Sequence, residues 1–292
     1  MTTPRAQRGF TLIELTLVLF VLALSAHLAV RELSRQRARR LREAADSQLW
    51  EISSTLLSGD CASGFLSDMG RLPAAIPVDP DDDTSPLSLR ELWSRPDGLG
   101  EYRARPATAA NRADGAPSAL ADPDILIPCG WGGPYLRLPP ATTRLRDPWG
   151  NPIETPDSAN LPRLFADPDA STPVTAPDAP VAAIRHYGSD GLADAERPPE
   201  TYDQADATLI FPAPEARLLL TFEPDSLEKI HWYAPLGDKI TGGICVPDPG
   251  TSQLLIEGLT PGTRFLKSYP ADASPRVLQV TLRPGRDTAL EL

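Results

Sequence analysis

An acid inside an apolar run is the most informative chemical group in this sequence. Glu14 follows Gly9-Phe10-Thr11-Leu12-Ile13 and opens a hydrophobic stretch that lasts to Val30. An unpaired carboxylate in hydrocarbon is costly, about 2.5–3.5 kcal/mol for Asp at a helix centre on insertion scales. Such a group needs a partner of opposite charge. A second set of acids is Asp190 and Asp194 around Gly191, joined by Asp203 or Asp206 further along. A glycine-containing acidic loop suits calcium, which takes about 6–8 oxygen ligands, although the spacing is not that of an EF-hand. A solvent-facing acidic loop accounts for the same residues. The cysteines, Cys61, Cys129 and Cys245, include no C-x-x-C pair, which excludes a zinc ribbon on spacing. Two arrangements of them remain open: a Cys61–Cys129 disulfide in an exported domain with Cys245 left over, or three buried thiols.

Catalytic constellations are missing from the sequence. It contains neither G-x-S-x-G nor H-E-x-x-H, and Lys229, Lys239 and Lys267 are not preceded by glycine, so there is no Walker A loop. His27 lies in the apolar run, and His186 and His231 have no evident triad partners. His186 reads as a strand-end surface residue beside Asp190. The expectation is that this chain is not an enzyme. Its charge is divided: residues 1–42 carry +6 and the remainder carries −17. An acidic body argues against nucleic-acid binding and is compatible with a divalent cation.

The elements that must position these groups begin with one helix. Residues 10–30 are dominated by Val, Leu, Ile, Phe and Ala, and at ~1.5 Å per residue they match one hydrocarbon thickness. The pattern then turns amphipathic, with Ala38, Leu41, Ala45, Leu49, Ile52 and Leu56 on one stripe. No proline interrupts it, and Gly59 suits a helix end. The spacing predicts one helix over 10–58. Residues 60–125 read as mostly irregular, with short ordered pieces at Phe65–Pro73 and Ser88–Trp93, and residues 103–123 read as an exposed Ala/Pro/Asp/Arg loop. Proline is abundant, 33 of 292 residues. Two rigid turns follow, Gly130-Trp131-Gly132-Gly133-Pro134-Tyr135-Leu136 and Asp147-Pro148-Trp149-Gly150-Asn151-Pro152. Val181–Tyr187 reads as a strand, and Pro212-Ala213-Pro214 as a linker. Beyond it, strand-like runs at 217–222, 253–257, 263–267, 276–282 and 288–292 are separated by Pro261-Gly262 and Pro284-Gly285, the pattern of a small β-sandwich.

The start of the chain resembles type IV pilins and type II secretion pseudopilins: a basic leader, Gly9, Phe10, Thr-Leu-Ile-Glu14 and an apolar helix, in order. The resemblance implies cleavage by an inner-membrane prepilin peptidase between Gly9 and Phe10, and N-methylation of Phe10. Glu14 would then meet the free amine of a neighbouring subunit's Phe10. Further along, Gly133-Pro134-Tyr135-Leu136 and Asp147–Pro152 resemble the major pseudopilin of type II secretion. In that protein a strand and a glycine-rich acidic loop follow, and the loop binds calcium; here Ser189-Asp190-Gly191 matches it loosely. The chain departs from that pattern by an insertion between Gly70 and Ile127 and by a longer loop between Pro152 and Val181. The turns Leu259–Thr263 and Leu282–Gly285 look like those of transthyretin-like or carboxypeptidase-regulatory-like modules.

The expectation is an α+β chain: leader 1–9, transmembrane and amphipathic helix 10–58, pseudopilin-like domain 59–211 on a small antiparallel sheet with long loops, and a β-sandwich-like domain 215–292. Its implied role is a structural subunit of a type II secretion pseudopilus or type IV pilus-like filament. The implied partners are prepilin peptidase, other pseudopilins or further copies, and the secretion platform and secretin. The chain would be a single-pass protein of the bacterial inner membrane with its body in the periplasm. Two other readings of the start are a secretory signal cut at Leu24-Ser25-Ala26 and a plain anchor that displays a binding or adhesion protein. The arginines after Val30 point the other way on orientation, because the positive-inside rule puts that side in the cytoplasm.

Overall fold

The computed structural model describes residues 12–58, 61–79, 81–82, 84–139, 143–157, 160–189, 191–194, 205–212 and 215–292. Helix α1 (Leu12–Leu56) runs without a break through both compositional halves. The expected stripe is the one that docks: Ala45, Leu49, Ile52 and Leu56 are buried, and Ala38 and Leu41 are half-buried. They pack against α2 (Phe65–Met69), whose Phe65, Leu66 and Met69 are fully buried, and against Leu92, Leu136, Ile184 and Phe211. Gly59, Ala213 and Pro214 lie outside the described residues, as do Gly9 and Phe10.

The strands of the first part are β1 (Ile76–Pro77), β2 (Leu87–Ser88), β3 (Arg103–Ala107), β4 (Asp122–Cys129), β5 (Glu154–Thr155), β6 (Leu164–Phe165), β7 (Ala183–His186) and β8 (Ala207–Ile210). They form small antiparallel sheets, β1-β2-β5, β3-β4 and β6-β7-β8. The C-terminal part contains β9 (Ala216–Thr221), β10 (Leu227–Leu236), β11 (Lys239–Cys245), β12 (Gln253–Leu259), β13 (Gly262–Pro270), β14 (Arg276–Leu282) and β15 (Asp287–Glu291). Sheets β11-β10-β13-β14 and β12-β9-β15 enclose a common core of Leu218, Leu220, Ile230, Ile256, Leu266 and Leu282. The chain is α+β with a β-rich C-terminal region, as its patterning implied.

One expectation fails here, and one open alternative is decided. The segment 103–123, read as an exposed loop, starts with β3, which pairs with β4 in a hairpin. Its Ala107 and Leu120, with Ile125, Ile127 and Cys129 of β4, form a second core with Tyr233 and Ile240 of the C-terminal sheet. The apolar residues are sparse and their partners lie more than a hundred residues away, so local composition hid them. The Cys61–Cys129 disulfide is also not formed: all three cysteines are free thiols. Cys129 is held inside the second core, with its Sγ 3.6 Å from the Asp238 carbonyl oxygen, and burial pushes its thiol up to about 11.

The two parts meet closely at α2. Arg264 of β13 is fully buried and donates to the Leu66 and Ser67 carbonyls at 3.3 and 3.2 Å, and to the Thr260 carbonyl at 2.9 Å. The Leu66 carbonyl also accepts from the Gly70 N–H at 3.0 Å, so Arg264 adds a second donor to the end of α2. Gly70 ends α2 at φ +65°, and a Cβ there would fall 1.8 Å from the Pro235 carbonyl oxygen. Only glycine admits that approach.

Candidate assembly and membrane interface

The first turns of α1 carry Glu14 among fully exposed Leu12, Ile13, Leu15 and Leu17. Every residue from Leu12 to Arg37 is exposed, so the described part of the body does not cover this stretch of the helix. It is long and apolar enough to cross a membrane. Its hydroxyls turn back on the helix: Thr16 donates to the Ile13 carbonyl at 2.9 Å, Ser25 to Val21 at 2.8 Å and Ser34 to Val30 at 2.9 Å. Donors satisfied within the segment are what a lipid environment requires.

The second half of α1 fastens to both features implied by the pseudopilin resemblance. Gln48 donates to the Arg146 carbonyl at 2.7 Å, which ties the helix to the Asp147–Pro152 turn. Arg42, buried on the docking stripe, donates to the Ala205 carbonyl and pairs with Asp46 at 3.3 Å. It therefore holds the acidic loop.

In that loop the structure brings Asp194 and Asp206 together. Each backbone N–H donates to the other's carboxylate, at 3.2 and 3.1 Å. Asp194 Oδ1 is buried and has no hydrogen-bond donor among the described residues. A buried carboxylate oxygen facing a second acid fits a hard, oxygen-preferring cation. Asp190 and Asp203 lie outside the described residues, and no group of three potential ligands occurs among the described ones.

The Asp147–Pro152 turn is anchored by a charge cluster that the sequence did not announce. Asp147 accepts from the Asn151 backbone N–H at 2.8 Å and closes the turn. It also accepts from Arg163 at 2.9 Å, and Arg163 in turn donates to Asp157 at 2.6 Å. All three side chains are buried. One guanidinium thus serves two carboxylates, and its central carbon lies 5.3 Å from the Tyr187 ring centroid. Asp157 and Arg163 sit in a stretch that composition marks as irregular, where nothing signals burial.

His186, expected at the surface, is completely buried, and neither ring nitrogen has a partner among the described residues. Burial pushes its imidazolium down to about 4, with the Asp147 carboxylate opposing that shift and the Arg163 and Arg42 charges adding to it. The folded chain therefore keeps His186 neutral well below its ordinary value of 6.5. Stability from this group is complete above pH 6.5 and is lost as pH falls from 6.5 towards 4, on the order of 3 kcal/mol. We expect His186→Phe to remove this acid sensitivity, read as a smaller change in denaturant midpoint between neutral and acidic pH. An unchanged slope would place the titrating group elsewhere.

No curated protein matches the chain. Residues 4–30 match the family model of the prokaryotic N-terminal methylation motif, so the N-terminus, read with the exposed apolar helix behind it, is a type IV pilin-like prepilin signal of the kind that prepilin peptidase processes.

Proposed function

We propose that this protein is a structural subunit of a type II secretion pseudopilus or a related type IV pilus-like filament, matured by cleavage after Gly9 and methylation of Phe10. The supporting observation is the division of α1. One continuous helix leaves Leu12–Val30 exposed and seats its later turns on the body. The uncovered part needs an apolar surrounding, first the inner membrane and then the same segments of neighbouring subunits. In the filament the Glu14 carboxylate pairs with a neighbour's Phe10 amine, and each charge offsets the other's desolvation. The body lies in the periplasm, and the secretion platform and secretin are the partners this role requires.

N-terminal sequencing of the mature protein tests the processing: the expected first residue is Phe10, and a start at His27 would mean a discarded signal peptide. Cross-linking between α1 helices in cells separates a filament subunit from a displayed monomer, since a monomer gives no helix-to-helix product. We further propose that Asp194 and Asp206, with Asp190 and Asp203, hold calcium. Calorimetric titration with calcium is expected to give binding heat and a raised unfolding temperature. No heat and no thermal shift would dispose of the site.

A further inference from the structure

Five arginines between the membrane segment and the body are not used by anything described above. Arg31, Arg35, Arg37, Arg39 and Arg40 follow directly on Val30, are all exposed, and share the stretch with the single acid Glu32. Among the described residues Arg42, which is buried, pairs with a carboxylate, and none of these five does. At roughly 100° per residue they point to roughly 0, 40, 240, 80 and 180° around the helix axis. The charge encircles the helix instead of marking one face.

We propose that this arginine collar binds the anionic phospholipid headgroups of the leaflet that adjoins the body. Length supports it. From Arg31 to Arg40 the helix rises about 14 Å. A headgroup layer is roughly 5–8 Å deep on each side of the hydrocarbon, and counterion screening extends the attraction by about 8 Å. The collar therefore spans the zone in which a phosphate layer is felt, and it ends where Ala38, Leu41 and Arg42 begin to be covered by the body. Shape supports it as well. A protein partner would meet one side of the helix, whereas lipids surround it, and a ring of guanidiniums suits the second. Charge gives the collar a purpose. The rest of the chain carries −17 and is repelled by an anionic surface, so the collar supplies the attraction that holds the subunit at a defined depth. The inference rests on α1 crossing a bilayer and not on filament assembly.

The test uses the full chain in detergent, mixed with equal parts of phosphatidylglycerol and phosphatidylcholine, with retained lipids counted by native mass spectrometry. The expected result is several-fold enrichment of phosphatidylglycerol, consistent with roughly fivefold per basic residue at an anionic surface, falling at high salt. The combined variant Arg31→Gln, Arg35→Gln, Arg37→Gln, Arg39→Gln and Arg40→Gln is expected to retain both lipids equally. Lysine at the same five positions is expected to restore the preference. These side chains are exposed and make no ion pair among the described residues, so circular dichroism and unfolding temperature are expected to be unchanged. Equal retention of the two lipids by the wild type, or undiminished enrichment in the glutamine variant, would overturn the proposal. Loss of inter-subunit cross-links in the glutamine variant, when the wild type shows no lipid preference, would overturn it too and assign the collar to a second copy of the chain.

Discussion

Glu14→Ala is expected to abolish helix-to-helix cross-linking in cells while leaving the protein in the membrane. The two effects have opposite signs for one reason. In the bilayer a carboxylate is less favourable than a methyl group, so alanine does not oppose residence there. In a filament the same carboxylate becomes half of an ion pair with the Phe10 amine, and alanine leaves that amine buried without its counter-charge. Breaking one side of a buried pair costs about 3–5 kcal/mol, repeated at every subunit contact. Glu14 lies on the exposed apolar helix far from the packed stripe of Ala45, Leu49, Ile52 and Leu56, so the unfolding temperature of the body should not move. Cross-linking at wild-type level in Glu14→Ala would refute the pairing. Loss of body stability would mean that Glu14 acts within its own chain.

Arg163→Met is expected to destabilise the body by about 3–5 kcal/mol. Methionine keeps much of the apolar stem but leaves Asp147 and Asp157 buried without the guanidinium that they share. Their desolvation is then no longer offset by that guanidinium, and Asp147 also closes the turn through Asn151. Adding Asp147→Asn and Asp157→Asn to Arg163→Met should recover a large part of the loss, because the charges are then removed together. Chemical unfolding of the wild type, the single variant and the triple variant measures this directly. A cost below about 1 kcal/mol, the range of exposed pairs, would show that the cluster is solvated.

Legibility in the sequence followed the range of the interactions. The docking stripe of α1 was readable because its period is set by the helix itself: residues three and four apart share a face whatever lies beyond it. Strand β14 was readable over its full span, Arg276–Leu282, and the turns at Pro261-Gly262 and Pro284-Gly285 marked the boundaries of its region. The hairpin β10–β11 was not read at all, although β10 is the longest strand. Its two faces are both covered, Ile230 by the sandwich core and Tyr233 by the core under β3–β4. Burial on both sides erases the polar alternation that identifies a strand, and Pro235 within the run argues against one. The β3–β4 hairpin was missed for the complementary reason, since its partners Tyr233 and Ile240 come from the far end of the chain.

The candidate sites divide in the same way. The leader, Gly9, Phe10, Glu14 and the membrane-length helix are contiguous, and their chemistry depends on order along the chain, so the sequence by itself determined them. It also determined the α+β class, because helical and strand periodicities are local. Only the tertiary structure decided that the cysteines stay apart, that His186 is buried, that Arg163 joins Asp147 to Asp157, and that Asp194 meets Asp206 beneath Arg42. In each of these the side chain's state is set by desolvation and by charges brought close in space, and neither quantity is carried by the neighbouring residues in sequence.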